Sequence, residues 1–542
     1  MSAFASSLAL LRADLRVDRT RLISWTLGLG LLAAYVRPAY ASMYPTVEAR
    51  AARVELVRTP AAVFMTGPQF ANGHGDEPGT VAPTDLGAMI ANQLSSTLLV
   101  AAGVMSVLLA VRHSRAEEED GPAELLRSKA VGRLAPLMAA WGTVKIANLA
   151  VAAAIALGLA ATGSPALDSL ALGAGVGLTG MAFGAVTLLG AQLTERSRVA
   201  TGIGMAALGL SFLLSGIGDL QDPQGGPVAW LSPLNWAQQT RCYVDLRLWP
   251  LLLPLALIAL ALPAAFALAD RRDFGRGLVQ RRTGPQTASS TLTGVCSLSL
   301  RLQRGTFLGW GAGLALMGLA MGSFANALGS TLRDNPRAAA IFGHISGDDL
   351  AGAFFATFLR FGSVAVAAYA VAAMLVLAKD QTSGVGELIL AGSVSRARAL
   401  AGPAVATFAA SAGLLALYGL GMGASGAAVT GQTRWLWRLP SAAWAYLPAQ
   451  ALFIGLVALL FSLRAAWAKA AWLLVLYAAS ASVLGPLLRL PRWSTALSPL
   501  EAVPNLPAAP FTPSGPLALA LIAAALFGGA LAAFRRRDYS AG

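Results

Sequence analysis

Apolar runs of about 20 residues, the length needed to cross roughly 30 Å of hydrocarbon, recur along the whole chain between short charged or Pro/Gly-rich breaks. They predict spans at roughly 20–42, 89–111, 135–161, 169–194, 199–217 and 250–269, then 305–324, 351–378, 399–422, 448–463, 470–488 and 516–534. About twelve transmembrane helices make an all-α integral membrane protein, because a lipid-embedded segment must pair its own backbone polar groups.

The segments between the runs fix the orientation. With both termini cytoplasmic, the inner segments carry 26 Lys and Arg and the outer segments 12, the asymmetry that membrane insertion imposes. A net charge of +14 is therefore topological and gives no reason to expect a nucleic-acid partner. Only 12% of residues are charged and the mean hydropathy is +0.62, so membrane lipid, not a soluble core, is the main solvent. Residues 5–19 read as an amphipathic surface helix, with Leu8, Leu11 and Leu15 on one face and Arg12, Arg16 and Arg19 on the other. The first long apolar run has no small-residue cleavage site after it, so it is not a removable signal.

The same landmarks occur twice in the same order. EEEDGPAELLRSKAVGR (117–133) is matched by DQTSGVGELILAGSVSR (380–396), which sets Gly121 against Gly384, Glu124 against Glu387 and Arg133 against Arg396. RVDRTRLISW (16–25) is matched by RLQRGTFLGW (301–310), Asp85-Leu86 by Asp349-Leu350, LSPLNW (231–236) by LSPLEA (497–502), and RRDF (271–274) by RRDY (536–539). This pattern predicts an internal duplication. Each half has an even number of spans, so the two six-helix repeats are parallel, related by an axis along the membrane normal. The expected organisation is a first six-span half over 1–269 with its N-terminal surface helix, an inner linker and second surface helix (elbow) over 270–304, and a second six-span half over 305–542. The first half is the longer, through the outer stretch MTGPQFANGHGDEPGTVAP, which reads as a polar loop.

Little in the chain suggests bond chemistry. Cys242 and Cys296 fall on opposite predicted sides of the membrane, and His74, His113 and His344 lie far apart without metal-site spacing, so neither a disulfide nor a metal is expected. No GxxxxGK[ST] loop occurs, so ATP, if used, is bound by another chain. The acidic residues fall in predicted loops or at span edges, Asp168 among the latter. That placement argues against a proton-coupled secondary transporter of twelve spans, which remains an alternative, as does a non-transporting membrane scaffold.

Two cations do fall inside spans, Lys145 and Arg360, where an unshielded charge costs about 2.5–3.5 kcal/mol, so each should face a cavity, a polar partner or water. Trp141, Lys145 and Asn148 share one helical face, and Asn92, Gln93 and Ser96 add polar groups to the second span. Together with Arg360 these are the candidate path residues; helix–helix hydrogen bonding or snorkelling is the plainer reading of each.

In both inner loops a short surface helix is expected, capped by Asp120 or Ser383, with Glu124 or Glu387 in its first turn. Its apolar side is Leu125, Leu126 and Val131 in one copy and Leu388, Ile389 and Val394 in the other. Such a face suits the groove of a soluble partner, the alternative being a charged anchor of the positive-inside kind.

On these acidic-Gly-x-x-Glu motifs, the basic-aromatic runs ending at Trp25 and Trp310, and the Arg-Arg-Asp-aromatic ends, the chain resembles a permease of the second permease type of ATP-binding-cassette exporters. The likeness is to the fused branch of polyketide-antibiotic and multidrug exporters of actinobacteria, and it covers essentially the whole chain. It implies a permease of the bacterial cytoplasmic membrane that exports small amphipathic drugs or antibiotics by alternating access, with no catalytic site of its own. The energy then comes from two copies of a separate ATPase subunit that binds ATP and Mg, seated on coupling helices in the paired inner loops. Carried over, Glu117, Glu118, Glu124 and Arg133 serve one copy, and Asp380, Glu387 and Arg396 the other. Asp-Gln-Thr-Ser at 380–383 replaces Glu-Glu-Glu-Asp at 117–120, so the two docking surfaces should be unequal. The outer stretches 218–249 and 488–513, rich in Trp and Pro, would close the outer end of the path.

Overall fold

A computed structural model describes residues 3–58, 60–71, 81–119, 131–222, 224–273, 275–279, 287, 289–324, 348–484 and 497–537. The chain divides into two compact units, Met1–Gly284 and Pro285–Gly542, and the described residues contain no strand.

In the first unit, α1 (Ser7–Val17) is followed after a single residue, Asp18, by α2 (Arg19–Met43). The outer segment forms α3 (Val47–Val57) and α4 (Pro60–Thr66), and the bundle continues through α5 (Leu86–Val111), α6 (Ala135–Ala161), α7 (Ala166–Leu193), α8 (Ser197–Gln221), the short α9 (Pro233–Gln238) and α10 (Leu252–Arg271). α5 and α7 are the most deeply buried helices and form the core: Leu98, Ala102 and Met105 of α5 and Val176, Ala182 and Leu188 of α7 are almost wholly buried. By contrast α2 buries only Leu29, Gly30, Ala33 and Val36, one helical stripe, and leaves Leu27, Leu31 and Tyr35 exposed, as a helix bordering lipid does. Asp85 starts α5 by accepting the amides of Gly87 and Ala88 at 2.7 and 3.3 Å, an N-cap that satisfies donors the helix cannot.

The second unit comprises α11 (Val295–Ser323), α12 (Asp348–Met374), α13 (Val376–Thr382), α14 (Val385–Ala391), α15 (Arg396–Thr430), α16 (Trp435–Trp444), α17 (Leu447–Leu463), α18 (Ala471–Leu484) and α19 (Ser514–Arg536). α11 and α15 pack backbone to backbone. A Cβ at Gly318 would lie 2.4 Å from the Tyr418 carbonyl oxygen, and one at Gly322 would lie 2.3 Å from that of Met422, the small-xxx-small approach used between membrane helices.

Among the described residues eleven helices are long and apolar enough to cross a membrane. The twelfth expected span, 470–488, is represented by α18, and its remainder lies outside the described residues. The outer stretch expected as a polar loop carries no helix over its described residues 67–71 and 81–83. The outer segment ahead of it is helical: Thr46 accepts the Ala49 amide at 3.2 Å and so starts α3, and Pro60 stands first in α4. One expectation needs correction. The second elbow is not a separate element, since α11 runs unbroken from Val295 through the seventh span. The aligned residues account for this. Asp18, at the α1–α2 break, is drawn onto Arg112 and His113, whereas its counterpart Gln303 stays in the helix and bonds Thr407 Oγ1 at 3.1 Å and the Tyr369 hydroxyl at 3.0 Å.

Candidate functional site

The last carbonyls of a helix have no partner within it, and arginine is suited to gather them. At the inner end of the first unit, Arg133 Nη2 donates to the Arg272 carbonyl oxygen at 3.0 Å, and Nη1 lies 3.6 Å from Asp270. The Arg272 side chain reaches back across the bundle. Its Nη1 and Nη2 meet Glu118 at 2.9 and 2.5 Å, and its Nε donates to Gln192 Oε1 at 2.7 Å. Beyond α5 a π-helical turn, Arg112–Ala116, swings Arg115 inward. Its Nη1 binds Glu118 at 2.7 Å, while Nε and Nη2 converge on the Ala191 carbonyl at the end of α7, at 3.1 and 2.6 Å. Glu119 accepts the amide and hydroxyl of Ser197 at 2.9 and 2.5 Å, at the start of α8. One short acidic segment thus holds the inner ends of α7, α8 and α10.

The second unit repeats the plan at the aligned residues. Arg396 Nη1 donates to the carbonyls of Arg535 and Arg537 at 3.0 and 2.7 Å. The Arg537 side chain then donates to Gln381 Oε1 at 3.1 Å and to the Phe461 carbonyl at 2.5 Å. Glu118 and Gln381 are counterparts, as are Arg272 and Arg537, so each half closes its last span onto the end of its second with an arginine clamp. The first clamp is ionic and the second neutral.

The clamps change the expected docking roles. Glu117 bonds His113 at 3.2 Å, and Glu118, Arg133 and Arg396 are engaged within their own units. Glu124 and the first loop helix lie outside the described residues. In the second loop the expected helix forms as α14, although Gly384 at φ +75° stands at its N-cap in place of Ser383. Asp380 is half-buried in α13; Glu387 is exposed in the first turn of α14, and Leu388 beside it is 76% exposed.

Beside the first clamp lies a cluster that spacing did not advertise. His113 Nε2 is 2.8 Å from Asp18 Oδ2, and its Nδ1 is 3.2 Å from Glu117 Oε1 and 3.6 Å from Asp14 Oδ1. Asp18 also takes Arg112 Nε at 2.8 Å and Arg21 Nη1 at 3.1 Å. The i, i+4 pairs Asp14/Asp18 and His113/Glu117 were signals in the sequence; their meeting was not.

The candidate path residues divide. Asn92 donates to the Gly67 carbonyl at 2.9 Å, Gln93 accepts from Arg53 at 3.3 Å, and Ser96 donates to the Thr66 carbonyl at 2.8 Å while accepting from Gln238 at 2.7 Å. The polar stripe of α5 therefore pins the outer cap formed by α3, α4 and α9. Asn92 and Gln238 line a cavity of about 30 Å³, room for a water. Asn148 is fully buried and donates to Ser106 Oγ at 2.8 Å, whereas Lys145 on the same helix is exposed and Trp141 half-buried. Arg360 finds the polar partners its position demands: Nη1 meets Glu501 of the outer LSPLEA stretch at 2.6 Å, and Nη2 meets Asn505 just beyond it. Asp219, expected just past a span, instead lies in the last turn of α8, 1% exposed, with Oδ1 unpartnered among the described residues and Ser215 Oγ 3.3 Å from Oδ2. A cavity of about 940 Å³ opens beside the inner end of α11, lined by Arg301, Gln303, Arg304 and Phe307, and none of the candidate path residues lines it.

Eleven long apolar helices and no strand among the described residues define a multi-pass, all-α membrane protein. The chain is 36% identical over 552 residues to the multidrug efflux system permease protein Rv1217c of Mycobacterium tuberculosis, an alignment that covers 99% of this chain and 96% of that protein. Residues 292–535 match the family described as multidrug efflux system permease Rv1217c, C-terminal domain. The chain belongs to this permease family.

Proposed function

We propose that the chain is the transmembrane subunit of an ATP-driven exporter of the bacterial cytoplasmic membrane, moving small amphipathic drugs outward while two copies of a separate ATPase bind ATP and Mg on its inner face. The observation that carries this reading is α14, a helix that presents Glu387 and the exposed Leu388 and Val385 and is joined by residues 392–395 to Arg396 of the second clamp. An exposed apolar residue on a charged face suits a helix set into a partner's groove. Movement of that helix is passed through Arg396 and Arg537 to the end of α19, and the clamped bundle responds as a population shift between inward- and outward-open states. The name of the Mycobacterium tuberculosis relative supports the substrate class.

The test is affinity capture of the full chain from its native membranes followed by mass spectrometry. The expected result is an ATP-binding-cassette subunit at two copies per permease, lost when Glu124 and Glu387 are both replaced by Ala. A chain that purifies alone and transports in liposomes under a proton gradient overturns the reading. The buried carboxylate of Asp219 is the one observation that favours a proton-coupled carrier, and transport unchanged in Asp219→Asn removes it.

A further inference from the structure

The inner surface of the first unit gathers one imidazole and three carboxylates from distant parts of the chain. Asp14 and Asp18 come from the N-terminal helix and its break, His113 and Glu117 from the turn beyond α5. Asp18 receives Arg112 and Arg21, and its Oδ2 stands 2.8 Å from Nε2 of His113, so Nε2 carries the hydrogen and donates it. The other ring nitrogen faces two carboxylate oxygens, Glu117 Oε1 at 3.2 Å and Asp14 Oδ1 at 3.6 Å. Three electron-rich atoms turned toward one point repel unless a cation sits among them. A proton on Nδ1 satisfies Glu117 but does not reach Asp14 within hydrogen-bond distance.

An ion does reach all three. The three ligand atoms lie within 4.8 Å of one another. Tetrahedral coordination with bonds of about 2.0–2.2 Å sets neighbouring ligands about 3.3–3.6 Å apart, which is the spacing found around Nδ1. We propose that Asp14, His113 and Glu117 form a site for a divalent transition-metal ion of the zinc class, with Asp18 orienting the imidazole from behind. A carboxylate on the far ring nitrogen is the usual support of a metal-binding histidine. The imidazole selects against calcium and magnesium, which want a cage of oxygens. The His113 and Asp18 side chains are each 2% exposed, while Glu117 is 35% exposed and gives the ion a path in and a fourth position for water. Bound there, the ion fastens the N-terminal helix to the acidic segment of the first clamp.

The second unit does not repeat the site. Gln303 stands for Asp18 and Val376 for His113, so one ion per chain is expected. The experiment uses the full chain, purified in detergent and stripped of metal, titrated with Co²⁺ and then Zn²⁺. The expected result is a single saturable Co²⁺ absorption of tetrahedral type that Zn²⁺ displaces and that Asp14→Asn and Glu117→Gln each abolish. Asp18→Asn should weaken it by about 10- to 100-fold. Asp14 is a half-buried residue on a surface helix, so its variant tests the site even where His113→Asn does not fold. No saturable binding, or undiminished binding in both first-named variants, overturns the proposal and leaves an imidazolium bonded to Glu117.

Discussion

The carboxylate of Glu118 and the guanidinium of Arg272, 154 residues apart, meet as a two-pronged fork at 2.9 and 2.5 Å. Both are mostly buried, at 15% and 10% exposure, so their value lies in being paired: removing one partner leaves an uncompensated charge, at a cost of about 3–5 kcal/mol. Glu118→Ala should therefore lower the thermal midpoint markedly, and the Glu118→Ala/Arg272→Ala double variant should recover part of the loss. Glu118→Gln copies the second clamp and should cost clearly less than Ala. Equal losses in Gln and Ala variants would show that the carboxylate's charge, not its shape or its capacity to hydrogen-bond, matters there.

The unequal clamps make a second prediction. Arg537 meets a neutral amide, Gln381, at 3.1 Å, and a neutral hydrogen bond contributes about 0.5–1.5 kcal/mol against about 1.5–3 for one to a charged group. Gln381→Ala should thus reduce drug export less than Glu118→Ala. Gln381→Glu should raise the thermal midpoint, because it adds charge to an arginine already in place. Transport by reconstituted single variants, compared side by side, decides the order.

At the outer face Arg360 and Glu501 form the counterpart of the neutral Ser96–Gln238 contact, each joining the second span of a half to the outer cap that precedes its last span. With side-chain exposures of 16% and 21%, the pair is sheltered, and Glu501→Ala leaves the cation without its carboxylate partner. A loss of about 3–5 kcal/mol is expected from either single substitution, and a smaller one from Arg360→Met/Glu501→Leu, where both charges go. If the doubly apolar variant keeps its thermal midpoint but loses export, the pair serves the transport cycle; if export also survives, the pair is structural.

What was legible in the chain was whatever the bilayer enforces residue by residue. Spans declare themselves because every residue of a lipid-facing turn must be apolar, and α2, α6 and α7 begin and end within a few residues of expectation. The clamps were half visible: Arg133, Arg396 and the two Arg-Arg-Asp ends stood out as repeats, but nothing local says that Arg133 caps the carbonyl of Arg272. Lys145 and Asn148 lie three positions apart at the edge of one stripe, and only packing against α7 puts the amide inside and leaves the amine out. The outer helix α3 was hidden by its charge, since Glu48, Arg50 and Arg53 resemble a loop until Arg53 is seen buried against α5, and α4 by its shortness.

Leu388 separates docking from folding. It is 76% exposed on α14, where a substitution that touches no internal contact changes stability by no more than about 0.5 kcal/mol. Seated in a partner's groove, the same side chain is desolvated, and a carboxylate in its place leaves an unpaired charge in that groove. Leu388→Asp should therefore leave the thermal midpoint of the purified permease in place and, if the proposed ATPase docks there, weaken its capture by tenfold or more, about 1.4 kcal/mol, and reduce export in step. Captured ATPase measured against permease by quantitative mass spectrometry gives the ratio directly. An unchanged ratio at unchanged stability assigns α14 to the membrane surface and removes it from the coupling path.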